Sequence, residues 1–153
     1  MLWEQFKNIA SQILSDHFAP NLIEDNGDSL TFVDRRERLR FFLTESAQGI
    51  TIGDYEERNT VGTFFTSPSI ELATIALTLL VREGLGELVD MDYPPDELLG
   101  PVPGTDYSIT KDRSRGFHLT HNSDSSLIAK CAYFTYARAI AEASTPSPDS
   151  LRP

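Results

Sequence analysis

From Ile70 to Arg82 the chain carries Leu72, Ala73, Ile75, Ala76, Leu77, Leu79, Leu80 and Val81, so the apolar residues of this helical stretch go almost all the way round. A helix with one apolar stripe can lie on a surface, but one that is apolar on nearly every side has to be covered by several neighbours. The rest of the chain must therefore supply layers around it. Ser67 is an N-cap candidate with Pro68 in the first helical position, where the missing N–H costs nothing. Gly84 stands where a C-terminal cap is expected.

The flanking segments show what those layers are. Leu2, Phe6, Ile9, Ile13 and Leu14 recur at helical spacing over residues 2 to 18. After the turn signal Asn26-Gly27-Asp28 the period changes from helical to alternating. Leu30 and Phe32 alternate with Thr31 and Val33; after the charged run Asp34-Arg35-Arg36-Glu37, Leu39, Phe41 and Leu43 alternate with Arg40, Phe42 and Thr44. This predicts a hairpin with one face buried. Ile50 and Ile52, then Val61 to Phe65, extend it into an antiparallel meander. Beyond the central helix, Tyr107 to Thr110 and Phe117 to Thr120 form a second strand pair turned at residues 112–116. A last helix, capped by Ser123 or Asp124, is expected to place Leu127, Cys131 and Phe134 on one stripe. The predicted fold class is α+β: antiparallel sheet or sheets with an N-terminal helix, a buried central helix and a C-terminal helix. Residues 1–143 make a single domain, and 144–153 a flexible tail rich in Pro and Ser.

Nine Phe, five Tyr and one Trp in 153 residues suffice for one core. Against 13 Lys and Arg stand 23 Asp and Glu, a formal net charge of −10. Such a field repels phosphate backbones and anionic headgroups, so neither nucleic acid nor membrane is an expected partner, whereas a basic protein surface is complementary. Solubility alone also accounts for acidity. The single cysteine, Cys131, excludes an internal disulfide framework and fits a reducing, cytoplasmic setting. The N-terminal residues form no unbroken apolar signal core, and no segment reaches the roughly 20 apolar residues that span a bilayer.

A reaction centre is not evident. The chain has no GxSxG elbow, P-loop, GxGxxG or HExxH. Cys131 on an apolar stripe reads as a buried thiol with little thiolate. His118 and His121, with Asp124 beyond, are the closest approach to a metal or acid–base set, but in a strand those histidines point to opposite faces. No catalytic, cofactor-binding or metal residue is therefore assigned, and the expected activity is binding rather than catalysis, by a protein monomeric when free.

Two acidic segments are the candidate contact surface. Residues 83–106 hold seven Asp or Glu and no Lys or Arg, a long connection of the kind that is functional or flexible. It contributes Asp90, Asp92, Tyr93, Asp96 and Glu97, with one helical turn expected near Pro95 to Leu99; the tip of the meander contributes Asp54, Tyr55, Glu56 and Glu57. Each segment joins carboxylates to a tyrosine, a pairing that suits an interface. Arg35, Arg36, Arg38 and Arg40 are a local exception to the acidic field, and such a run is commonly the solvated face of a hairpin.

The segments DNGDSLTFVDRRERLRFFL, GITIGDYEERN, GTFFTSPSIELATIALTLLVREGLG and PPDELLGPVPGTDYSIT follow one another in an order that resembles a family of bacterial immunity proteins from polymorphic-toxin systems. That family includes the antitoxin of the mycobacterial tuberculosis necrotizing toxin. The charged hairpin turn departs from its pattern. The resemblance implies a cytoplasmic protein that binds a cognate secreted toxin domain, for example an NAD glycohydrolase, and blocks its active site. Two other readings stay open: an acidic secretion-chaperone-like adaptor, and a small hydrolase or metal enzyme using His118, His121 and Asp124.

Overall fold

A computed structural model of the chain describes residues 2–55, 61–89, 94–113, 115–124 and 126–144. The elements run α1 (Leu2–His17), β1 (Ile23–Asp25), β2 (Ser29–Asp34), β3 (Leu39–Ser46), β4 (Gly49–Tyr55), β5 (Val61–Ser67), α2 (Ile70–Glu83), α3 (Leu85–Leu88), β6 (Gly100–Pro101), β7 (Tyr107–Lys111), β8 (Phe117–His121), β9 (Leu127–Cys131) and α4 (Phe134–Ser144). The nine strands of the described residues form one antiparallel sheet in the order β1-β2-β3-β4-β5-β9-β8-β7-β6. The α+β class, the meander and the N-terminal, central and C-terminal helices are as the periodicity predicts. α4 reaches Ser144, one residue into the expected tail; residues 145–153 lie outside the described ones.

The helices cover one face of the sheet. α2 packs against both α1 and α4 as well as β4 and β5, which explains an apolar surface nearly all round. Leu72, Ala73, Ala76, Leu77, Leu80 and Val81 are buried on it. On α1 the buried stripe is Trp3, Phe6, Ala10 and Leu14, at spacings of three and four, and Ile9 falls at its edge with 38% exposure. The Trp3 indole N–H donates to the Gly27 carbonyl at 2.9 Å, tying the start of α1 to the β1–β2 turn.

Two expectations about helix starts are corrected. Ser67 does not cap α2: it ends β5, and the cap is Ser69, whose hydroxyl accepts from the Leu72 N–H at 3.1 Å. The fully buried Ser67 hydroxyl instead donates to the Ile128 carbonyl at 2.5 Å and accepts from the Ser69 N–H at 3.0 Å. The last helix does not begin at Ser123 or Asp124. Leu127 to Cys131 form β9, which pairs with β8 on one side and β5 on the other, and α4 starts only at Phe134. A helix there would have left both neighbouring strands with unpaired backbone groups.

The charged hairpin turn is also more than a solvated face. The Asp34 carboxylate, 3% exposed, holds the Arg36 backbone N–H at 2.9 Å and its guanidinium at 3.1 Å, and Arg36 donates onward to the Val81 carbonyl. The Glu37 carboxylate accepts from the Leu85 and Gly86 N–H groups at 2.5 and 2.6 Å. Gly84 caps α2 with φ 85, and a side chain there would stand 2.7 Å from Glu37 Oε1. Arg35 and Arg38 remain exposed.

Ser67→Ala is expected to destabilise the fold by about 1–3 kcal/mol, because the part-buried Ile128 carbonyl loses its donor. Urea denaturation midpoints of the two proteins measure this, and Ser15→Ala on the exposed side of α1 should leave the midpoint in place.

Candidate functional site

β5 carries an extra residue. Its register with β4 passes from Ile52↔Phe65 to Gly53↔Thr63, so Phe64 is bulged and both Phe64 and Phe65 are buried on the helix side. Phe64 packs edge-on against Phe41, with ring centres 6.1 Å apart, and against Tyr136 at 5.8 Å. A bulge bends its strand and increases local twist. Beyond it β5 keeps pairing with β4, whereas β9 ends at Cys131 and the chain turns into α4. The β5–β9 ladder is therefore confined to Phe65↔Cys131 and Thr66↔Lys130, extended by the Ala132 N–H to the Phe64 carbonyl at 2.9 Å.

Where the ladder stops, the two halves of the sheet part and a cleft of about 1110 Å³ opens. Phe64, Phe65 and Cys131 floor it, with Tyr133 at the start of the turn into α4. Asp54 from β4, Asp96 from the 83–106 connection, Lys111, Asp112 and Arg115 around the β7–β8 turn and Lys130 from β9 all line it. Val89, Pro94 and Leu99 add apolar surface from the connection.

The structure thus brings together one residue from each predicted acidic segment. Asp54 and Asp96, 42 positions apart in sequence, line the same cleft. Asp96 lies on the short 3-10 turn Asp96–Leu98, as expected near Pro95, and is exposed; the neighbouring Glu97 is exposed outside the cleft lining. Tyr55 is separated from Asp54 because adjacent strand residues face opposite ways. Its ring packs on Phe42 with centres 5.4 Å apart, and the Arg40 guanidinium lies 4.9 Å from its centre, on the face that the helices leave open. Phe42 is buried there because its register partner is Gly53, where a Cβ would stand 2.5 Å from the ring. The remaining predicted contact residues, Glu56, Glu57, Asp90, Asp92 and Tyr93, lie outside the described residues.

The basic share of the cleft lining was not anticipated. Its signal is the change from 83–106, without any Lys or Arg, to Lys111, Arg113 and Arg115 within five residues. Asp112 does not cancel these charges alone, since its carboxylate is held by His118 Nε2 at 2.6 Å and lies 3.6 Å from the Lys130 ammonium.

The candidate metal or acid–base set is dispersed. His118 faces Asp112, His121 Nδ1 meets the Ser123 hydroxyl at 2.7 Å, and Asp124 accepts from the Ser126 backbone N–H and hydroxyl, which lowers its pKa. Among the described residues no group of three or more His, Cys, Asp or Glu is placed to hold a metal ion. No helix among them is long and apolar enough to cross a membrane.

Cys131 is buried, as expected, but on a strand rather than a helical stripe. Burial pushes its thiol up to about 12 from an ordinary 9.0. The native thiolate is correspondingly scarce at neutral pH. Because the folded pKa is the higher, the contribution of this group to stability is complete below pH 9.0 and is lost as pH rises towards about 12. The stability difference between the wild type and Cys131→Ala should therefore shrink between those pH values, measured by urea denaturation at stepped pH.

No family model matches the chain, and no curated protein sequence matches it. Among solved structures the chain is similar to Rv3902c from M. tuberculosis, with a TM-score of 0.58 and 15% identity, over 92% of this chain and 82% of that one. The likeness establishes a shared fold and a distant structural relationship.

Proposed function

We propose that this protein is an immunity protein that binds a cognate secreted toxin domain and blocks its active site, for example that of an NAD glycohydrolase. The convergence of Asp54 and Asp96 on one cleft is the observation that carries this reading. Two acidic segments far apart in sequence would not need to line one cleft if their charge served solubility alone. The net charge of −10 adds a field that draws in a basic partner before contact. The order of core segments resembling the immunity family supports the same reading, and the fold shared with Rv3902c contributes the scaffold alone.

Inhibition of a toxin calls for tight binding, because free enzyme at any appreciable fraction continues to turn over. Fast capture matters for the same reason, and opposite potentials raise association rates. In cells producing the toxin domain encoded beside this gene, co-expression should restore growth, and the two proteins should co-elute as one complex on size exclusion. The association rate should fall as salt rises, since screening shortens the reach of the acidic field. Failure of both protection and co-elution would overturn the proposal.

A further inference from the structure

We infer that the cleft is a gap in the sheet that takes an extended segment of the partner as an added strand along β5, held by backbone hydrogen bonds at Thr63. The inference rests on the immunity reading and adds to it the mode of recognition and the chemistry of the segment held.

The cavity passes through the plane of the sheet. Phe65 is the register partner of the buried Ile52 and of Cys131, which puts all three on the helix side. Thr66 and Lys130, each one position away and paired with each other, point to the open face. Phe65, Cys131, Thr66 and Lys130 all line the cleft. A hollow on one face of a sheet is lined from that face alone, whereas a gap between strands is lined from both.

β5 presents a strand edge to this gap. It pairs with β4 from Val61 to Ser67, across the bulge, but among the described residues β9 pairs only with Phe65 and Thr66 on its other side. Along a strand, successive residues direct their N–H and C=O groups to alternate sides. Gly62 is the register partner of Asp54, and its carbonyl oxygen lies where a Cβ on Gly53 would run into it, so Gly62 faces β4. The next residue, Thr63, therefore turns its N–H and C=O away from β4 and towards the cleft that it lines. Thr63 is exposed, although β5 stands at the middle of the nine-stranded order. A donor and an acceptor side by side on a strand edge are matched by the backbone of another extended segment. The Phe64 carbonyl already accepts from the Ala132 N–H, so the added strand would begin where β9 leaves off.

Alternation sets the chemistry of the segment, because side chains of an added strand fall on the two faces in turn. On the helix side Gly62 carries no side chain, and Phe64 and Tyr133, with ring centres 6.4 Å apart, offer aromatic surface to an apolar residue. On the open side Thr63 and Lys130 suit a polar one. Charges of both signs line the cleft, so selection there rests on the backbone and on this alternation, while the net charge of −10 favours basic flanks.

The test uses the full chain and the purified toxin domain, and follows single amides by NMR hydrogen exchange. In the free protein the Thr63 amide should exchange fast and the Gly62 amide slowly; in the complex Thr63 exchange should slow by roughly tenfold or more. Thr63→Pro removes the cleft-facing donor while leaving the β4 ladder its bonds, and should weaken binding, measured by calorimetry, by roughly tenfold or more. Thr63→Val keeps the N–H and should bind roughly tenfold more tightly than Thr63→Pro. A Thr63 amide already protected in the free chain shows an edge closed by the chain itself, which overturns the inference and leaves the proposed function standing. An amide that stays fast in a stable complex does the same, as does equal binding by the two variants. Thermal midpoints report whether each variant folds, and should Thr63→Pro unfold the chain, exchange in the wild type decides alone. Absence of any wild-type complex removes the immunity reading, and the inference with it.

Discussion

β5 and β9 meet through two register pairs, Phe65 with Cys131 and Thr66 with Lys130, and this seam joins strands β1 to β5 to strands β6 to β9. Its partners are some 65 positions apart in sequence, so closing it costs substantial chain entropy before any contact rewards it. Buried polar bonds reinforce the short ladder. The Ser67 hydroxyl spans to the Ile128 carbonyl, and Ala132 donates to Phe64. The Ile128 carbonyl is available because β9 is itself irregular there: Leu119 pairs with Ala129 but Thr120 with Leu127, leaving Ile128 out of register. One irregularity on each side of the seam therefore has a use. The β9 irregularity supplies an acceptor that welds the sheet, and the β5 bulge turns its strand away and opens the cleft.

Helix neighbours explain why α2 is apolar on nearly all sides. α2 rests on the β4–β5 side and is flanked by α1 and by α4, which in turn covers β7, β8 and β9. The Tyr136 hydroxyl bonds the Ala76 carbonyl of α2, and burial raises the Tyr136 pKa well above the ordinary value. At the C-terminal end of α2, Arg36 and Glu37 fasten the β2–β3 turn through Val81, Leu85 and Gly86. These side chains point charges at helix ends, where free carbonyls and N–H groups need partners.

Much of this is legible in the residues themselves. The alternation from Leu30 to Ile52 and the apolar stretch ending at Gly84 give the meander and the central helix without ambiguity, because long periodic segments carry the most information. β9 is misread for a physical reason. Leu127, Ile128, Ala129 and Cys131 are all apolar, and the break in register at Ile128 removes the alternation that would mark a strand, leaving Leu127 50% exposed. The start of α2 is misplaced because Ser67 and Ser69 carry the same hydroxyl two residues apart, and only the fold decides which one caps. The acidic residues of the cleft can be read from composition. Its basic residues are hidden, since Lys111 and Arg115 flank Asp112 in what looks like an ordinary turn, and nothing local places them in one cleft with Asp54 and Asp96.

The mixed lining of the cleft gives the molecule two electrostatic scales. At a net charge of −10 the protein acts on a partner at a distance as an anion, but at about 0.15 M salt this influence decays over roughly 8 Å. Within that range the partner meets local pairs instead of a net charge, and at the cleft those pairs have both signs. Long-range attraction favours basic surfaces without fixing their orientation, whereas a cleft lined by both signs acts only at short range. The acidic excess is spread along the surface, whereas the cations of the β7–β8 turn are held beside the β5 bulge by the same strand pairing that closes the sheet.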